Sequence, residues 1–142
     1  MAVGLGELPV MHSVAGFELG IASAGIKKPG RRDVVLMRCA EGSTVAGVYT
    51  QNAFCAAPVL LCKQRMQSSP RYLLVNTGNA NAATGDLGLQ AANAVCQELA
   101  GLFDCPIEQV LPFSTGVIGE PLPVAKIVAA LPAAISDLRE EN

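Results

Sequence analysis

The chain has 142 residues, enough for one domain at most, with 51% hydrophobic and only 15% charged residues. No apolar run approaches the ~18–20 residues of a membrane span, and a formal net charge of −2 argues against a nucleic-acid binder. So little charge leaves apolar surface in excess, which either marks an interface or reflects close Ala and Gly packing.

The N-terminus, Met-Ala-Val-Gly-Leu-Gly-Glu, carries no basic region ahead of an apolar one. No secretory signal is expected, and a cytoplasmic location is. The first third reads as strands: Phe17 to Ala24, then Asp33 to Cys39, with Ser43 to Thr50 returning as a hairpin through Glu41-Gly42. Lys27, Lys28, Arg31 and Arg32 surround Pro29-Gly30, a solvated turn rather than an anion site. Ala57 to Lys63 reads as a further strand, with Pro58 at its start.

Arg71 to Asn76 is an apolar strand running into Asn76–Gly85, a small, amide-rich segment expected to be a loop. A helix is expected over about Asp86 to Phe103, capped by Thr84 or Asp86, with Leu87, Ala91, Ala94, Val95, Leu99 and Leu102 as its apolar stripe. Ile107 to Phe113 returns as a strand into Ser114-Thr115-Gly116-Val117-Ile118-Gly119. Pro121 and Pro123 open a last helix that Pro132 is expected to interrupt. Strands followed by two strand–loop–helix units indicate an α+β or α/β layered fold.

Cysteines stand at 39, 55, 62, 96 and 105, without CxxC spacing, and His12 is the only histidine. Free core thiols are expected, with neither a zinc site nor a Cys–His pair. Two segments could carry chemistry, each read as a Gly-rich turn between a strand and a helix N-terminus. Asn76, Asn79 and Asn81 could orient a small polar substrate, or serve only to bond their own backbone in turns. Thr115 Oγ and Gly116 N–H could aim two donors at one point, as an oxyanion hole requires, or serve as a helix cap and tight turn. No Ser, Thr or Cys has an evident activating base, so the chain offers donors and no attacking group.

Five segments resemble the ornithine acetyltransferase (glutamate N-acetyltransferase) family in the family's order. They are Ala24-Gly25-Ile26-Lys27 with Gly30-Arg31-Arg32-Asp33; Gly47-Val48-Tyr49-Thr50-Gln51-Asn52; Ala56-Ala57-Pro58-Val59; Asn76-Thr77-Gly78-Asn79-Ala80-Asn81-Ala82; and Ser114 to Glu120. The resemblance implies a layered α+β fold of the self-cleaving type. It also implies acetyl transfer from N2-acetylornithine to glutamate through an acetyl-enzyme. In that family a precursor cleaves itself and the new N-terminal Thr of the β chain is the nucleophile. Thr115 and Gly116 match the family's oxyanion pair.

The nucleophile's Ala-Thr-Met-Leu-like segment is absent, so residues 1–142 are expected to be one incomplete domain, the N-terminal portion of an α chain, inactive alone. A β chain of the same precursor and an α2β2 or higher oligomer are the expected partners. No bound cofactor or metal is implied, and acetyl-CoA is a co-substrate candidate in bifunctional relatives. The rival readings are an aminopeptidase-like hydrolase of the same fold and a non-catalytic amino-acid-binding module.

Overall fold

The computed structural model describes Gly6 and residues 10–141, so most of the segment on which the N-terminal signal reading rests lies outside the described residues. Four strands form one sheet in sequence order: β1 (Phe17–Ala22), β2 (Val34–Cys39), β3 (Tyr72–Asn79) and β4 (Val110–Val117). β1 and β2 pair antiparallel, as do β2 and β3, whereas β3 and β4 run parallel. Helices α1 (Ala57–Arg65), α2 (Gly85–Phe103) and α3 (Val124–Ser136) complete the layered α+β fold expected above.

Strand alternation gives the sheet two unlike faces. Ala22, Val34, Leu36, Tyr72, Leu74 and Val110 point to the helices and are buried with Val95, Cys96 and Leu99 of α2 and Ile127, Leu131 and Ala134 of α3. The register places Leu19, Met37 and Leu73 in one row of the other face and Ile21, Val35, Val75 and Phe113 in the next. This second face is apolar yet only half-buried, and Phe113 is exposed. Part of the apolar surplus read from composition lies on this face, and more of it is exposed elsewhere, on Val48, Phe54, Leu87, Leu102 and Ile118.

Several segments differ from the sequence expectations: Asn76 to Asn79, expected as loop, are the end of β3, and Ile107–Gln109, expected as strand, is a 3-10 turn ahead of β4. The hairpin return over Ser43 to Thr50 does not form a strand, because β1 and β3 already occupy both edges of β2. Residues 45–50 instead run along a cavity of about 430 Å³, facing Leu73, Leu111, Phe113 and Ser114. Ala57 to Lys63 is helical, and its buried residues Ala57, Pro58, Leu61, Cys62 and Arg65 follow helical spacing. Pro58 sits in the first turn, where its missing N–H costs nothing. Pro132 lies inside α3 without ending it, on the exposed side of a helix anchored by Ile127, Leu131 and Ala134.

Helix α2 also turns differently from its expected stripe. Leu87, Ala94 and Leu102 face outward, and Gly88, Ala92, Val95, Cys96, Leu99 and Ala100 face the core. Thr84 holds the N-cap position but makes no capping bond; its hydroxyl donates to Asn81 Oδ1 at 3.0 Å. All five cysteines are free thiols. Burial raises the Cys62 thiol to about 11 and also pushes up Cys96. His12 is exposed, and no group of three His, Cys, Asp or Glu side chains able to hold a metal occurs among the described residues.

Candidate functional site

Antiparallel β2 and β3 bring the β1–β2 loop to the end of the sheet where parallel β3 and β4 finish. The loops at 80–84 and 118–123 lie at the same end. Asp33 fixes the first of these loops, its carboxylate accepting the N–H groups of Ala24 at 2.6 Å and Ile26 at 2.7 Å. Lys126 Nζ donates to Gly25 O at 2.9 Å and ties the loop to α3. Lys27, Lys28, Arg31 and Arg32 are exposed, as a solvated turn requires.

The asparagines work inside the protein. Asn76 Oδ1 accepts the Ser114 hydroxyl at 2.6 Å, and Asn76 Nδ2 donates to Asn79 O at 2.9 Å. Asn79 Nδ2 donates to Glu120 O at 3.2 Å and Pro121 O at 3.0 Å, while its Oδ1 accepts Asn81 N–H at 2.8 Å. Asn81 Nδ2 reaches Gly88 O at 2.9 Å. All three side chains are buried, Asn81 completely. They hold the two loops and the start of α2 together, which takes their amides away from any ligand and weakens the amino-acid-binding reading of this segment.

Ser114, Thr115 and Gly116 are not a turn before a helix. They lie within β4, and α3 begins only at Val124, so helix-terminus polarity is not what distinguishes the site. Thr115 and Gly116 gain their position from a sheet irregularity instead. Thr77 pairs with Thr115 and Gly78 with Gly116, after which the register shifts at Asn79. Gly116 has φ +134°, and a Cβ there would lie 2.4 Å from the Gly78 carbonyl carbon and 2.6 Å from Asn79 N. Only glycine lets the two strands close at this point.

The outer edge of β4 is covered over part of its length. Arg65 Nη1 donates to Val110 O at 2.7 Å, and Cys62 Sγ lies 3.3 Å from Pro112 O, both from α1. Arg65 Nη2 also reaches Asn93 Oδ1 at 2.6 Å, joining that edge to α2. Gln109 O and Val117 O, by contrast, face β3, accepting Arg71 N–H and Ala80 N–H. Period-two alternation therefore turns the main-chain groups of Gly116 toward the outer edge, beyond the reach of α1. Thr115 and Gly116 are both exposed, and the Thr115 hydroxyl has no hydrogen-bond partner among the described residues. The result is an unpaired hydroxyl on the open sheet face beside an amide on an open strand edge.

Sequence reasoning singled out Thr115 and Gly116 but not the Ser114–Asn76 bond that anchors them.

The comparisons with known proteins agree on one family. The ArgJ family pattern matches residues 18–142. Two curated relatives, each described as arginine biosynthesis bifunctional protein ArgJ, are 69% identical (Pseudomonas fluorescens strain Pf0-1) and 68% identical (Pseudomonas syringae pv. tomato strain ATCC BAA-871 / DC3000). Each alignment covers all of this chain and 35% of the relative. Ornithine acetyltransferase from Mycobacterium tuberculosis, solved with ornithine, superposes with a TM-score of 0.83 at 33% identity, over 89% of this chain and 69% of that one. The ArgJ structure from Bacillus halodurans gives 0.76 at 31% identity, over 92% of this chain and 74% of that one. The chain, which spans about a third of the length of its curated relatives, belongs to the ArgJ family and has the ornithine acetyltransferase fold.

Proposed function

We propose that residues 1–142 are the N-terminal portion of the α chain of an acyltransferase that moves an acetyl group from N2-acetylornithine to glutamate in arginine biosynthesis. In this reading the nucleophile is the N-terminal Thr of a β chain released when the same precursor cleaves itself. The observation that carries it is the exposed Thr115–Gly116 pair: a hydroxyl without a partner among the described residues, beside an amide at an open edge. The relatives' names and the solved structure with ornithine support the reaction class.

The chemistry balances in two half-reactions. The β-chain Thr oxygen bonds to the acetyl carbonyl carbon, and the carbonyl electron pair moves to oxygen. Its hydroxyl proton passes to its own α-amine, which titrates at ~7.7–8.0 in its ordinary state. Thr115 Oγ–H and Gly116 N–H hold the oxyanion. The carbon–nitrogen bond then breaks, ornithine leaves with the proton, and an acetyl ester remains. The amine of glutamate attacks that ester through the same hole, giving a second oxyanion. The ester carbon–oxygen bond then breaks, the amine's proton passes through the α-amine to the Thr oxygen, and N-acetylglutamate leaves. No bound cofactor takes part in either half-reaction, and acetyl-CoA is an alternative donor for the first.

The half-buried apolar face of the sheet suits coverage by the β chain, and an α2β2 or larger assembly in the cytoplasm completes the proposal. Residues 1–142 alone are inactive in this account. The test is to incubate the complete polypeptide with acetyl-labelled N2-acetylornithine, quench, and separate the chains. Label on a second chain that begins with Thr is the expected result. Label on residues 1–142, or acetyl transfer by residues 1–142 alone, would overturn the proposal.

A further inference from the structure

We propose that the cavity between residues 45–50, α1 and β4 is an acyl-chain pocket, and that the enzyme transfers aliphatic acyl groups as long as hexanoyl as well as acetyl. The inference rests on the transfer proposed above and adds a substrate class to it. The cavity holds about 430 Å³, a volume typical of small-ligand pockets. Its position follows from the strand. The outward-facing carbonyls of Val110 and Pro112 on the edge of β4 are covered by Arg65 and Cys62 of α1. Ser114 comes next on that edge and lines the cavity, and Gly116 follows it. On the open face of the sheet Phe113 lines the cavity, and Thr115 follows it. Edge and face both lead from the cavity to the oxyanion pair.

Two residues of strand span about 6–7 Å, so a carbonyl held by Thr115 and Gly116 stands roughly that far from the cavity wall. An acetyl methyl ends about 1.5 Å from its carbonyl carbon and leaves the space empty, whereas a hexanoyl chain crosses the gap. The lining selects the acyl end of the donor. Val45, Val48, Leu73, Leu111 and Phe113 are apolar, and no charged side chain lines the cavity among the described residues. The Ser114 hydroxyl is spent on Asn76. The ornithine ammonium and the carboxylates of either amino acid would lose their hydration there without a counter-charge. An aliphatic chain is stabilised instead. The bonds are those of acetyl transfer. The Thr oxygen bonds to the acyl carbonyl carbon, the carbon–nitrogen bond breaks, and ornithine leaves with the proton. The amine of glutamate then takes the acyl group, the ester carbon–oxygen bond breaks, and the Thr oxygen regains a proton.

The experiment gives the complete enzyme N2-acetyl-, N2-butyryl- or N2-hexanoylornithine with glutamate and reads kcat and KM from the N-acylglutamate formed. The hexanoyl KM is expected about tenfold below the acetyl KM, as about two methylenes enter the cavity. Ala46→Leu and Val59→Phe narrow the cavity from the 45–50 segment and from α1. Each is expected to abolish the hexanoyl advantage, read as the ratio of the two KM values within one variant. A parent enzyme that transfers acetyl but rejects hexanoyl, or takes it with no lower KM, overturns the inference. The cavity then belongs to the rest of the polypeptide, and the acetyl reading stands. A hexanoyl advantage that survives both substitutions places the chain elsewhere and overturns the inference too. No transfer from any donor overturns the acetyl reading itself.

Discussion

Replacing Gly116 by alanine separates two effects that glycine serves, backbone conformation and close approach. The φ of +134° is one that L side chains rarely adopt, and strained backbone of that kind costs ~1–3 kcal/mol. The new Cβ would also lie 2.4 Å from the Gly78 carbonyl carbon. Main chain in a paired strand cannot move aside as a side-chain tip can, so overpacking adds a further ~1–3 kcal/mol. Gly119 provides the control, with φ +80° and nothing within 4 Å of its would-be Cβ. Gly119→Ala should cost only the left-handed conformational term, ~1–2 kcal/mol. Urea unfolding of the complete polypeptide reads both, with the free energy taken from the midpoint and slope. Gly116→Ala is expected to lose about twice as much as Gly119→Ala, or more. Equal losses would refute the close approach of β3 and β4 and the strand-edge geometry of the site with it.

Asn79→Asp should destabilise by ~2–4 kcal/mol at pH 7, because a buried carboxylate would face Glu120 O and Pro121 O where an amide now donates. Urea midpoints should recover as the pH falls and the new carboxyl protonates. Cys62 links stability to alkaline pH: burial raises its folded value from 9.0 to about 11, so the unfolded chain loses its proton first. That contribution is complete below 9 and is lost as the pH rises to 11, about 3 kcal/mol in all. Cys62→Ala should flatten the stability profile over that window, and an unchanged slope would contradict the burial. Alkylation at pH 8, read by mass spectrometry, should label partly exposed Cys55 well before Cys62 or Cys96. Pro132→Ala should stabilise by ~1–3 kcal/mol, because exposed Pro132 sits inside α3 without an N–H to donate.

The parts of this fold legible in the sequence are those where local pattern and tertiary demand agree. β2, β3 and α2 have β-branched or periodic apolar runs bounded by turn residues, and they form close to where the pattern puts them. The Ala57–Arg65 segment misleads because Val59, Leu60 and Leu61 form a short apolar run that either element can contain. The signal that decides it is present but subtle: Pro58 in a first turn, Lys63 and Arg65 in a last one. The Ser43–Thr50 stretch has strand-like composition but no free edge of β2 to pair with.

At the site, donor chemistry is legible and geometry is not. Thr115 and Gly116 stand out as residue types, yet their placement inside β4 depends on β3 lying parallel to it, a long-range pairing that no local pattern carries. The asparagines show the converse. Their abundance is open to a ligand or to a structural role, and the fold decides for the second, because the loops at 80–84 and 118–123 need their amides for themselves.

Single-turnover acetylation of the complete enzyme carrying Thr115→Ala tests the central claim most directly, with the acetyl-enzyme followed by rapid quench and mass. Loss of the Thr115 hydroxyl should slow its formation ~10²–10³-fold while the unfolding temperature holds. Acetylation at the parent rate would contradict the account and leave Thr115 without a part in the transfer.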